Sequence, residues 1–214
     1  MKTTPILLAA AFATALAAVP ARASTVRDLD SRLPVENATG VRAELPVGEF
    51  DVARSRDADV HLRLHVKCKD WNDRCEEQIR DLVIRARRDG SVLRFSLENM
   101  PWIQHDSFKI HGTLEVPPGL AVQVKLGVGE ITIRDVHDDL DVELGVGEVH
   151  VAMHEKDVKS VRLSSGVGDA SLDVGARHMR SSGLLGHRLH WSEGRGQADV
   201  DVEVGVGESS VELD

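Results

Sequence analysis

Four copies of one phrase constrain the fold of this chain more than anything else in it: LGVGEITI at 126–133, LGVGEVHV at 144–151, SGVGDASL at 165–172 and VGVGESSV at 204–211. Ahead of each glycine pair the apolar residues alternate in one phase, as in Val122, Val124, Leu126 and Val128. Behind it the phase flips, to Ile131 and Ile133. Side chains alternate between the faces of a strand, so one residue per copy is extra, which marks a bulge or corner inside a β-run. Gly127/Gly129, Gly145/Gly147, Gly166/Gly168 and Gly205/Gly207 are then structural corner residues. Glycine accepts a positive φ there and lets neighbouring backbones come close. The residue between the glycines (Val128, Val146, Val167, Val206) is expected to fill the corner from inside. An earlier segment, LPVGEFDV at 45–52, carries the same flip.

The first glycines fall at 127, 145, 166 and 205, and the last gap is close to two periods. SSGLLGHRLHW at 181–191 supplies a fourth, longer copy at Gly183. A period near 20 residues reads as a parallel β-solenoid, with equivalent positions stacked about 4.8 Å apart. No asparagine column appears, which disfavours leucine-rich repeats.

Before the repeats the chain reads as strands and one helix. In DVHLRLHVK (59–67) the residues Val60, Leu62, Leu64 and Val66 share a face opposite His61, Arg63, His65 and Lys67. Asp73 and Glu76 form a capping box, and Cys75, Ile79 and Leu82 share a helical face. LVIRARRDGSVLRFSL is a hairpin turning at Asp89-Gly90, which pairs Ala86 with Leu93 and Ile84 with Phe95. SFKIHGTLEVP (107–117) is a further strand.

The N-terminus places Lys2 before an apolar run, Ile6 to Ala18, and ends in Ala21-Arg22-Ala23. That pattern is a secretory signal peptide over 1–23, with Ser24 as the mature N-terminus. The domain reading is thus signal 1–23, a β-rich region 24–120 and repeats 121–214, the last two continuous. No later apolar run reaches the roughly 18 residues of a membrane span. The periplasm is the expected compartment, with secretion the alternative. Cys68 and Cys75 suit an oxidising space and are expected to bridge. Residues 121–214 carry net charge −9, which excludes nucleic acid as a partner and disfavours anionic lipid.

The recurring GVGEITI…DLDVELGVGEVHV pattern follows a signal and a strand-rich lead ending in EVPPGLAVQV. Over about residues 40–214 it resembles a bacterial cell-envelope family of unknown function, labelled putative adhesin and built in some members as a toast-rack β-solenoid. The resemblance implies a right-handed solenoid, an envelope location and no catalytic residues. The helix around Cys75 and the distorted fourth copy depart from the family pattern.

The remaining question is whether the repeated acids Glu130, Glu148, Asp169 and Glu208 do chemistry. Stacked carboxylates repel by about 1 kcal/mol per pair in water, so they are solvated, bonded to amides or bridged weakly by a cation. His187 falls near the equivalent place in the fourth copy. Calcium β-rolls use a different nonapeptide. Phosphate loops place their glycines at a helix start, and these precede strands. A residue repeated in every copy serves the fold, whereas a catalytic residue is usually unique. Ser164-Ser165-Gly166 recurs as Ser181-Ser182-Gly183, so those serines read as structural. The histidine pairs His61/His65, His150/His154 and His187/His190 lack zinc spacing, and no metal or cofactor is expected. Trp102 is the best candidate for a sugar contact. The expected function is a non-enzymatic envelope structural or interaction module. Its partner would be an envelope protein or polysaccharide, and it could self-associate through an open end left by the last strand, SSVELD. The alternatives are a polysaccharide-active β-helix enzyme and a weak divalent-cation module.

Overall fold

A computed structural model describes residues 26–69, 73–100, 108–183 and 186–214. The signal segment, Trp71 and Trp102 lie outside the described residues, as does the side chain of Asp73, half of the expected capping box. The chain is all-β with a mostly parallel sheet. Its strands are β1 (Val26–Pro34), β2 (Gly40–Arg54), β3 (Asp59–Cys68), β4 (Val83–Asp89), β5 (Val92–Glu98) and β6 (Phe108–Val116). They continue with β7 (Ala121–Arg134), β8 (Leu140–Met153), β9 (Val158–Val174), β10 (Arg177–Gly183), β11 (His187–Trp191) and β12 (Ala198–Leu213). The helix α1 spans Asp73–Arg80.

Five long strands form the centre, in spatial order β2, β7, β8, β12, β9, all parallel. Glycine meets glycine throughout: Gly48, Gly129, Gly147, Gly207 and Gly168 are register partners. Each strand must double back at this point. Fourteen extended residues would span about 43 Å, whereas Arg134 rejoins Leu140, beside Val122, across a link of at most about 21 Å. The core lies between the two arms, where Val124, Ile131, Ile133, Val142, Val149 and Val202 are fully buried. The glycines permit the fold: Gly147 has φ +139°, and a Cβ there would lie well under 3.0 Å from the Gly129 carbonyl oxygen. The first glycine of each pair is held by close approach alone, and Pro46 takes its place only in β2, on the outer side of the stack.

Both ends of this stack are covered arm by arm. Beyond β2, the first arm pairs with β5 and then β4, and the second with β6, β3 and β1. Beyond β9, β11 covers the first arm and β10 the second, both antiparallel. The fourth copy, SSGLLGHRLHW, is therefore not a parallel repeat. It turns at the corner, with Gly183 opposite Gly168, but runs the other way. Its extra residue and its exposed Arg188 suit a covering strand rather than a central one. The last strand is also corrected. SSVELD belongs to β12, which is paired on both sides between β8 and β9, so it leaves no open end.

The expected faces of β3 hold, with Val60, Leu62, Leu64 and Val66 buried. His61 is the exception on the polar face: it is buried between the carboxylates of Asp30 on β1 and Glu115 on β6. The strand β1 has no counterpart in the sequence reading. Cys68 bridges Cys75, with Cα atoms 6.1 Å apart, and fastens α1 to β3. Cys75 and Ile79 are buried on α1, and Leu82, also buried, lies just past its end. The β4–β5 hairpin turns one residue later than expected, through Gly90-Ser91, because Gly90 takes the left-handed conformation (φ +60°). Ala86 thus meets Phe95 and Ile84 meets Leu97, a shift of two that leaves the faces unchanged.

Candidate functional site

The outer surface of the corner is built by the register of the five central strands. Since the glycine-to-glycine match is fixed, every flanking position becomes a line across the sheet. One line is Val47, Val128, Val146, Val206 and Val167. These valines do not fill the corner from inside. Val128, Val146, Val206 and Val167 are 50%, 46%, 47% and 39% exposed. The reason lies in the backbone. Val128 takes the outward phase of Glu130 rather than the inward phase of Leu126, so the phase change comes ahead of the valine, at the first glycine. The first glycine puts no side chain inward, and the interior is closed by Leu126 and Ile131 instead.

A second line runs beside it: Glu49, Glu130, Glu148, Glu208 and Asp169. Glu49 extends the four acids read from the sequence; LPVGEFDV had signalled it. His187 is not part of this line. It lies on β11 opposite Ser165, its Nδ1 3.1 Å from Ser181 Oγ. The acid line is capped at both ends by basic groups. His111 lies 3.7 Å from Glu49 and 3.3 Å from Asp51, and Arg180 pairs with Asp169 at 2.6 Å. The hydrogen bond and charge of Asp169, with Glu208 beyond it, raise Arg180 above the ordinary guanidinium value. His150 approaches Glu148 at 3.5 Å and bonds Ser210 at 2.7 Å. Glu130 and Glu208 have no ion-pair partner among the described residues.

Chemically, this surface is an apolar stripe beside a line of solvated carboxylates. Among the described residues no group of three or more His, Cys, Asp or Glu side chains is placed to hold a metal ion. The histidines are instead dispersed into pairs with acids: His65 with Asp28 at 2.7 Å, His137 with Asp157 at 2.6 Å and His154 with Asp214 at 2.8 Å. The sequence pairs His61/His65 and His187/His190 share no partner among these contacts. Ser164 and Ser165 sit in β9, with Ser165 buried. Trp191 is buried against β9 and offers no exposed ring.

The class of protein defined by this geometry is an all-β chain of bent, parallel, in-register strands with glycine corners. No family model matches the chain, and no curated protein matches it. Among solved structures it is similar to a putative cell adhesion protein from Clostridium sporogenes, with a TM-score of 0.55 at 12% identity, covering 89% of this chain and all of that one. Weaker likenesses are a putative adhesin from Bacteroides fragilis (TM-score 0.30, 13% identity, 86% of this chain and 97% of that one) and one from Parabacteroides distasonis (TM-score 0.30, 12% identity, 86% and 70%). The first of them shares the fold.

Proposed function

We propose that the chain is an exported, non-enzymatic β-solenoid serving the cell envelope as a structural or interaction module, adhesin-like in that it displays a surface to a partner. The observation that carries this reading is the corner itself. Five strands repeat one outward-facing pattern, whereas a catalytic site needs a unique cluster of groups. The fold shared with a putative cell adhesion protein supports the reading. The Cys68–Cys75 bridge and the signal-like N-terminus favour an oxidising compartment, for which the periplasm is the proposal. Among the described residues no helix is long and apolar enough to cross a membrane. The partner is an envelope protein or a polysaccharide.

The test is crosslinking in the native envelope followed by mass spectrometry. The expected result is exported protein beginning at Ser24 and crosslinked to a partner through its surface strands. Protein that keeps residues 1–23, or that crosslinks to nothing in the envelope, would overturn the proposal. The in-register acids favour one second reading, weak binding of a divalent cation, and a melting experiment given below separates the two.

A further inference from the structure

Four of the six exposed large hydrophobic residues among those described are Val128, Val146, Val167 and Val206, which stand on neighbouring strands in one line. Scattered surface apolar residues are normal, but a continuous stripe is the mark of a docking surface. With Val47 the stripe crosses five strands, a length of about 19 Å at the usual strand spacing. We propose that this stripe is the docking site for a cationic amphipathic helix of a partner protein. The inference rests on the interaction-module reading and names its surface and the chemistry of its partner.

Charge selects the occupant. On one side lie the five acids Glu49 to Asp169, of which Glu130 and Glu208 have no counter-ion among the described residues. On the other side, three residues ahead of the valines, run Glu44, Lys125, Glu143, Glu203 and Ser164. Lys125 is already matched by Glu143 at 2.6 Å and Glu44 by Arg42, which leaves the charge of Glu203 to make this flank net negative as well. A second copy docked on the stripe would set acid against acid, and an anionic lipid surface meets the same repulsion. A partner with lysine or arginine on both sides of an apolar strip meets neither over Val128 to Val206, provided its own cations stay clear of Lys69 and Lys109 at the Val47 end.

Geometry selects the helix. Strand addition needs a free edge, and β7, β8 and β12, which carry the middle of the stripe, are paired on both sides. The stripe offers a face that runs across the strands. An extended peptide laid along it repeats its side chains every 6.6–6.8 Å or so, out of step with valines about 4.8 Å apart. A helix repeats its apolar face every 5.4 Å or so, and i+3 steps bring this to about 4.5 Å. About 13 helical residues match the whole stripe.

The mature full-length protein is tested with a fluorescent 14-residue peptide of leucine and lysine in helical periodicity. Two controls are the same residues in strict alternation and a leucine–glutamate analogue. The variant Val128→Thr/Val146→Thr/Val206→Thr keeps β-branched shape while making the stripe polar, and its melting temperature reports that the fold is kept. The parent is expected to bind the helical peptide at least 10-fold more tightly than either control, and the variant to lose that preference. Equal binding of both lysine peptides would reduce the effect to charge attraction and overturn the proposal. So would a variant that binds like the parent, a parent dimer in sedimentation that the variant dissolves, or binding to phosphatidylglycerol vesicles that the variant abolishes. Envelope crosslinks without peptide preference remove this inference and leave the module reading. Peptide preference without envelope crosslinks does the reverse.

Discussion

Replacing Gly147 with alanine adds one carbon, and the structure indicates where it would go. At φ +139° an L side chain is strained, which costs about 1–3 kcal/mol. The new Cβ would also overlap the carbonyl oxygen of Gly129 on β7, backbone that cannot turn away as a flexible side chain can. Relieving that overlap separates β7 from β8 at the corner, an overpacking penalty of about 1–3 kcal/mol. The two effects sum to about 2–6 kcal/mol, or a fall in Tm of about 4–24 °C for a chain of this size. Gly90→Ala is the control. Gly90 also has positive φ (+60°) but no atom within 4 Å of its would-be Cβ, so only strain of about 1–2 kcal/mol applies. Circular dichroism melts of both variants, with urea titrations to obtain free energies, measure the difference. If Gly147→Ala melts no lower than Gly90→Ala, close approach between strands is not what the corner glycines are for.

Val146→Asp is expected to cost under about 1 kcal/mol because the side chain already meets solvent, whereas Val149→Asp, fully buried, should cost at least about 3 kcal/mol in the same urea titration. Glu148→Gln should leave Tm within a degree or two of the parent whether calcium or chelator is present; a calcium-dependent rise in the parent that this variant loses would favour the cation reading. Reduction of Cys68–Cys75 should destabilise the protein by about 2–3 kcal/mol, read as a lower Tm with dithiothreitol present. Asp199 is held below its ordinary carboxylate range, first by the Ser160 hydroxyl and then by Lys159. A depressed acid contributes stability that is full above its unfolded value and lost as pH falls through the folded one, so that part of the stability should fade below about pH 4. Ser160→Ala should diminish this loss in acid denaturation curves.

The sequence disclosed the corners because glycine at fixed spacing and a change of alternation are both local signals. Register followed from them: once Gly129 must face Gly147, every neighbouring pair is set. The faces of β3, the helix with Cys75 and Ile79, and the disulfide were legible for the same reason, since period and cysteine spacing suffice to read them, although Leu82 falls past the helix end. The direction of Val146 was not. Alternation places it with Leu144 if the strand stays regular through the first glycine, and only its exposure shows that regularity ends there. The place of β12 was hidden too. Parallel copies with the same register fit one another in any order, so nothing in the repeats indicates that 204–211 lies beside 144–151 rather than beyond 181–191. As for β1, its alternation (Val26, Asp28, Asp30 outward; Leu29 and Leu33 half-buried) is masked by charge, and the strand depends on pairing with β3.

The position of β12 has a consequence in time. A chain that emerges from its N-terminus presents β8 and β9 before residues 198–213 exist in free form, yet these two strands are not neighbours in the finished sheet. Until β12 arrives, each exposes a row of unpaired amides and carbonyls to the slot between them. Folding is thereby delayed to a late, long-range step, the kind that slows β-proteins and leaves sticky intermediates. If the chain is exported as proposed above, such lateness is useful: what has emerged stays loose until the final strand slides into the middle and locks both sides at once.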